Sequence, residues 1–114
     1  MKHDAVFLKH ILDEINFLNK KSKNLSLDKL KKDEVLKRAF ARSLEIIGEA
    51  VKNINPELKR KNSEIEWKKV AGLRDKIVHY YFGVNWDILW DVIEHKLPEL
   101  KKQIEQILKG IPGT

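Results

Sequence analysis

Residues 73–83, LRDKIVHYYFG, combine apolar side chains at helical spacing with an arginine, an aspartate and a histidine. At about 100° per residue, a helix through this region has one apolar face. That face is formed by Trp67, Val70, Ala71, Ile77, Val78 and Tyr81. Arg74 falls in the middle of it, where a helix built only for packing carries leucine. An arginine keeps its charge and its five donors, so the pattern predicts a carboxylate, a carbonyl cluster, a partner chain or a bound anion beside Arg74.

Two further charged groups accompany this arginine. Asp75 and His79 are four residues apart, so their side chains share one flank of the helix and can touch. Arg74 and His79 lie about 140° apart around the helix, and only the length of the arginine lets both reach one substrate group. Gly83 suits the position after a helix end, which puts His79 in the last turn. A histidine there is also favoured by the helix dipole alone, so the spacing leaves a structural role open.

The order Arg74, four residues, His79, one residue, Tyr81 resembles the R-x4-H-x-Y motif of HepT toxins, a branch of the HEPN superfamily of small all-helical proteins. The resemblance extends over most of the chain. It includes an amphipathic first helix, residues 46–51 (IIGEAV), Trp67, residues 72–73, Trp90 and residues 97–100 (LPEL). On this basis the chain is identified as a HepT-like member of that superfamily.

The resemblance implies a type II toxin that acts as a metal-independent endoribonuclease through attack of the RNA 2′-OH. In that interpretation His79 is the general acid/base and Arg74 binds the phosphate and the transition state. Asp75 orients either His79 or Arg74. One histidine serves two proton transfers awkwardly, and two chains that present the motif across a homodimer interface would supply a pair. Such an interface would also explain an arginine on an apolar face.

The usual partner in this family is an MNT-type minimal nucleotidyltransferase antitoxin, which in some systems adenylylates the motif tyrosine. Here that position is Tyr81, and Tyr80 beside it leaves the acceptor open. The alternative function is a non-catalytic helical module in which Arg74 and His79 bind a nucleotide phosphate or complete an interface with a nucleotidyltransferase. The neighbouring reading frame would discriminate between the two.

The rest of the chain reads as further helices. The first is predicted from about Asp4 to Asn19, and the second extends to Ile54 with a break near residues 32–33. Ser63 is the predicted N-cap of the helix that carries the motif. Asn85 is expected to cap the next helix, and Pro98 to begin the last segment.

No strand alternation, internal repeat or glycine-rich phosphate loop interrupts this pattern. The sequence therefore predicts an all-α, up-and-down bundle of four to five helices. It is read as one domain over residues 1–109 with a tail over residues 110–114. Apolar residues on the outer flanks suggest a homodimer, namely Val6, Phe17, Tyr80 and Trp86.

The amino-acid composition limits the cofactors that the protein can be expected to bind. There is no cysteine and no convincing set of histidine and carboxylate ligands, so neither a metal nor another cofactor is expected. The N-terminus has no apolar stretch typical of a leader peptide, and no segment approaches the length of a membrane span, which favours a soluble, cytoplasmic protein.

The net charge is +6, and most of the excess of basic over acidic residues lies in the first half of the chain. A lysine-rich stretch over residues 20–32 is either a non-specific RNA contact or a solvated loop.

Overall fold

The computed structural model describes residues 2–79 and 83–112, and every regular element in those ranges is helical. The α-helices are α1 (Lys2–Ser22), α2 (Leu27–Lys32), α3 (Glu34–Lys52), α4 (Pro56–Lys61), α5 (Trp67–His79), α6 (Trp86–Asp91) and α7 (Leu97–Lys109). A π-helical segment, Val92–Lys96, joins α6 to α7. Three of these helices, α2, α4 and α6, have only six residues. The long elements are α1, α3, α5 and the continuous helical segment formed by α6, the π-helical residues and α7; we call it the C-terminal helical segment. The predicted all-α bundle is confirmed.

The most deeply buried part of the core lies on α1, α3 and α7, with α1 packed against each of the other two helices. Each of these helices contributes large apolar side chains that are fully buried, among them Leu8, Ile11, Ile15, Phe40, Ile47 and Ile104. The rings of Phe17 and Phe40 meet edge to face with centroids 6.3 Å apart. Phe17, predicted to be available to a second chain, is therefore half-buried within this one.

One buried hydroxyl interrupts that apolar interface. Ser43, on α3, is 2% exposed. Its Oγ donates to the Glu14 carboxylate of α1 over 2.8 Å. Because the hydroxyl has a charged acceptor, burying it carries little penalty.

The break between the second and third helices falls at Asp33, as predicted. Asp33 ends α2 and caps α3, because its Oδ1 accepts the backbone N–H of Leu36 at 3.0 Å. The short α2 is tied to α6 by an exposed ion pair in which Lys31 Nζ lies 3.2 Å from the Asp87 carboxylate. One lysine of the lysine-rich stretch therefore has a structural partner.

The predicted cap at Ser63 is wrong, because α5 begins only at Trp67. The connection before it is a tight turn in which the N–H of Ile65 donates to the carbonyl of Asn62 at 3.1 Å. The indole N–H of Trp67 donates to the same carbonyl at 3.0 Å. Both Ile65 and Trp67 are buried, and burying them together requires the turn rather than an earlier helix start.

The C-terminal helical segment begins at the predicted cap, because the Asn85 side chain accepts the N–H of Ile88 at 3.2 Å. Pro98 lies in the first turn of α7, and the residues before it form the π segment. A proline has no N–H to donate and its ring crowds the carbonyl four residues earlier, so a widened turn accommodates it. The N–H of Leu97 accordingly bonds the carbonyl of Val92. Ile111, beyond α7, is buried.

Within the described ranges, no helix has the length and apolar character that a membrane crossing requires.

Candidate active site

The contact between α3 and α5 is centred on Gly48. A Cβ atom at this position would lie 2.7 Å from the backbone nitrogen of Arg74 and 2.9 Å from its Cβ. It would also lie 3.0 Å from the carbonyl oxygen of Ala71. Only glycine lets the two helices approach this closely. The approach places Arg74 directly beside the last turns of α3.

Four charged residues form a cluster across this contact, Glu49 and Lys52 on α3 and Arg74 and Asp75 on α5; we call it the α3–α5 charge cluster. Arg74 Nε lies 2.7 Å from Glu49 Oε2. Arg74 Nη1 lies 3.4 Å from Asp75 Oδ1, which Lys52 Nζ also approaches, to 3.0 Å. Two cations and two anions alternate, so the cluster has no net charge and its guanidinium is fixed from two sides.

Arg74 is neither buried nor free in solvent. Its side chain is 37% exposed, although Trp67 and Ile77 on the same helix are buried. The predicted carboxylate partner exists, since Glu49 supplies it. Nη2 has no hydrogen-bond partner among the described residues. The ion pairs with Glu49 and Asp75 therefore account for Nε and Nη1 of Arg74.

The other predicted catalytic residues are described only in part. His79 is the last residue of α5, and its side chain lies outside the described part of the structure. Tyr80 and Tyr81 lie outside the described residues altogether. Helix geometry places His79 about 7.5 Å beyond Arg74 along α5. Contact between Asp75 and His79 therefore stays a prediction, whereas Asp75 is seen beside Arg74 and Lys52.

A groove of about 400 Å³ runs from the charge cluster along the seam between α1 and α3; we call it the α1–α3 groove. Its lining includes Phe7, His10, Arg42, Ile46, Glu49 and Arg74. His10 is exposed at its edge. Arg74 thus belongs to both the charge cluster and the groove.

Sequence reasoning missed the roles of Glu49 and Lys52. Both lie on a regular amphipathic helix where charged residues are expected on the solvent side, so the pattern alone marks them as solvated. A weak signal was present in Gly48, which predicts a close neighbour for the residues adjoining it. The identity of that neighbour depends on how α5 crosses α3. Among the described residues, no group of three potential metal ligands comes together.

Comparison with known proteins places this chain in a family. A family model described as Ribonuclease HepT-like matches residues 11–107. A "Putative RNase" of Caldanaerobacter subterraneus subsp. tengcongensis is 51% identical over 109 residues, covering 96% of this chain and 97% of that protein. A protein of Thermococcus cleftensis named "Probable ribonuclease HepT" is 36% identical over 103 residues, covering 90% of this chain and 94% of that protein. No solved structure gave a significant match.

The all-helical fold is thus that of a HEPN-type protein. The chain belongs to the HepT-like ribonuclease family, which confirms the resemblance seen in the sequence.

Proposed function

We propose that this protein is an endoribonuclease that cleaves RNA without a metal ion and acts as the toxin of a type II toxin–antitoxin pair. The observation that carries the proposal is the setting of Arg74. Glu49 holds its Nε at 2.7 Å, while Nη2 has no partner among the described residues. A permanently charged, oriented guanidinium with one open edge suits a phosphate. The family and the names of its relatives support RNA as the source of that phosphate.

Cleavage requires three events at one phosphodiester. A base removes the proton of the 2′-OH, and the 2′-oxygen forms a bond to phosphorus. The bond from phosphorus to the 5′-oxygen then breaks, and that oxygen takes up a proton. The products are a 2′,3′-cyclic phosphate and a 5′-hydroxyl, so the balanced reaction contains neither water nor a metal ion. His79 moves the protons because imidazole titrates near neutral pH, and Arg74 stabilises the charge on the phosphorane.

Asp75 acts on Arg74 in this proposal. Its carboxylate lies between Arg74 Nη1 and Lys52 Nζ, at 3.4 Å and 3.0 Å. In that position it limits rotation of the guanidinium and offsets the charge of Lys52. Asp75 is therefore a positioning residue, and Glu49 shares the task from the other helix.

The proposal includes a homodimer in which α5 of both chains lies near the two-fold axis. Two copies supply two histidines, one for each proton transfer. An arginine that remains 37% exposed beside an apolar face is compatible with a second chain at this surface. Sedimentation should show a dimer at micromolar concentration, and a monomer that still cleaves RNA would overturn this part of the proposal.

The direct test is substitution within the motif. Arg74→Ala and His79→Ala should abolish cleavage of RNA and relieve growth arrest. Because the ion pairs of Arg74 are solvent-exposed, the stability change should stay below about 1 kcal/mol. Chelators should have no effect on the wild-type activity. Arg60→Ala, an exposed arginine on α4, is the matched control and should cleave normally.

Two results would reject this mechanism. One is cleavage retained in His79→Ala, and the other is activity restored only by added divalent ion. Nucleotide binding at Arg74 in a protein that cleaves no RNA would instead support the non-catalytic module.

The proposed antitoxin is an MNT-type nucleotidyltransferase that adenylylates Tyr81. In that step the phenolic oxygen attacks the α-phosphorus of ATP, loses its proton and releases pyrophosphate. The attached nucleotide brings bulk and negative charge near Arg74, where RNA would otherwise bind. After incubation with the partner and ATP, peptide mass mapping should locate the added mass on Tyr81. Modification of Tyr80 alone, or undiminished modification of Tyr81→Phe, would show the assignment to be wrong.

A further inference from the structure

The α1–α3 groove has the size and lining of a ligand site that the motif chemistry does not use. Its volume of about 400 Å³ falls in the range of small-molecule sites. Three of its lining residues are apolar, Phe7, Ile46 and Ala50, and the others are charged or polar. We propose that this groove binds one nucleoside unit of single-stranded RNA, next to the phosphate held by Arg74. The inference rests on the proposed function for the identity of the polymer.

The aromatic wall of the groove suits a base. The rings of Phe7 and His10 lie 6.2 Å apart at an angle of 87°, so two ring surfaces meet at a corner. His10 is exposed and Phe7 is half-buried, which leaves ring area open to a ligand. Proteins bind unpaired bases by stacking them on such aromatic faces.

The polar groups of the groove suit a base edge better than a bare phosphate. Two carboxylates line it, Glu45 and Glu49, and each is ion-paired to an arginine of the groove, so the lining has no excess positive charge for a free anion. The carboxylates can also accept hydrogen bonds from the amino groups of bases. Asn53 donates its Nδ2 to the carbonyl of Glu49, so its Oδ1 is directed to other partners as an acceptor. A ligand that fits must therefore carry donors as well as negative charge, as a nucleotide does.

Arginines at the two ends suit the sugar–phosphate chain on either side of that base. Arg74 presents Nη2 at one end. Arg42, at the other, is ion-paired only to Glu45 of its own helix among the described residues. Arg42 and Glu49 are seven residues apart on α3, which is two turns, so they share a face about 10 Å apart. A single strand of RNA bound across the groove would therefore have a guanidinium group near its backbone at each end.

The test measures binding separately from cleavage. Uridine 3′-monophosphate, adenosine 3′-monophosphate and a trinucleotide with a 2′-deoxy scissile sugar are titrated against the full protein by calorimetry. Phe7→Leu keeps an apolar side chain and removes the ring, so the Kd should rise about tenfold. Ile46→Trp fills the groove and should raise the Kd by at least as much. Ile88→Trp is the matched control for Ile46→Trp, because Ile88 is an exposed isoleucine on α6 that does not line the groove.

The outcomes separate the two proposals. Weaker binding in both groove variants, with the control and the melting temperatures unchanged, supports the subsite even if the protein cleaves no RNA. Unchanged Kd in both variants overturns it, as does a lack of binding by all three ligands at millimolar concentration. If the groove variants alter dimerisation and leave the Kd unchanged, the groove is an interface between copies and the inference is wrong. If Arg74→Ala loses cleavage and the groove variants cleave normally, the proposed nuclease function is supported and the proposed subsite is overturned.

Discussion

The two flanks of α3 differ in the kind of contact that each makes. Toward α1 the helix presents an apolar interface that includes Phe40, with one hydroxyl, Ser43, bonded to Glu14. Toward α5 the contact is more extensive and also buries apolar residues, among them Leu73 and Ile77, but it has a glycine at its centre and carries ion pairs that water can reach.

Each flank contributes something different to the protein. Burial of large side chains supplies most of the folding free energy, whereas exposed ion pairs supply little of it. Both flanks therefore stabilise the bundle through buried apolar side chains, and the charged residues on the flank facing α5 also fix the position and orientation of Arg74. Substitutions on the two flanks should separate stability from activity.

The largest effect is expected from Phe40→Ala. Phe40 is fully buried and its ring meets that of Phe17, so truncation should lower the free energy of unfolding by about 3–5 kcal/mol. Urea denaturation followed by circular dichroism measures this. Loss of less than about 1 kcal/mol would show that the α1–α3 interface repacks and is not the main source of stability.

An intermediate effect is expected from Gly48→Ala. Alanine is favoured over glycine in a helix by about 1 kcal/mol, but here its Cβ meets the backbone of α5 at 2.7 Å. The helices must separate, which should cost a net 1–3 kcal/mol or so and displace Arg74. Thermal melting and a cleavage assay would both report the change.

Gly72→Ala is the matched control for that experiment. Gly72 also lies inside a helix, and a Cβ there meets nothing within 4 Å. The substitution should be neutral or stabilising, by up to about 1 kcal/mol. Equal behaviour of the two variants would mean that the close approach at Gly48 is not required.

The smallest effect on stability is expected from Glu49→Gln, below about 1 kcal/mol, because the pair with Arg74 is exposed. Cleavage should nevertheless fall about tenfold or more, since the guanidinium loses the carboxylate that orients it. Glu57→Gln removes another exposed helical ion pair, with Lys61, and should change neither property. Normal single-turnover cleavage by Glu49→Gln would separate Glu49 from catalysis.

The sequence by itself determined the class of fold, most helix boundaries and the family. These follow from information that is local along the chain. The helical period of apolar residues, the cap at Asn85 and the break at Asp33 each depend on neighbours within four positions. The order of Arg74, His79 and Tyr81 is likewise local, and its resemblance to the HepT motif implied a phosphate site. Ser63 shows where local sequence is not sufficient. It is a favourable N-cap residue, but α5 begins at Trp67, and Ile65 and Trp67 are both buried in the turn before it and at its start.

Only the tertiary structure decided which groups surround Arg74. Glu49 is 25 positions away in the chain, and its ion pair exists because α5 crosses α3 at Gly48. The α1–α3 groove likewise joins Phe7 to Arg74 through helices that are far apart in sequence. The physical reason is that helical periodicity determines which face of a helix is buried but not which residues of another helix meet it. That pairing depends on the crossing of the packed helices.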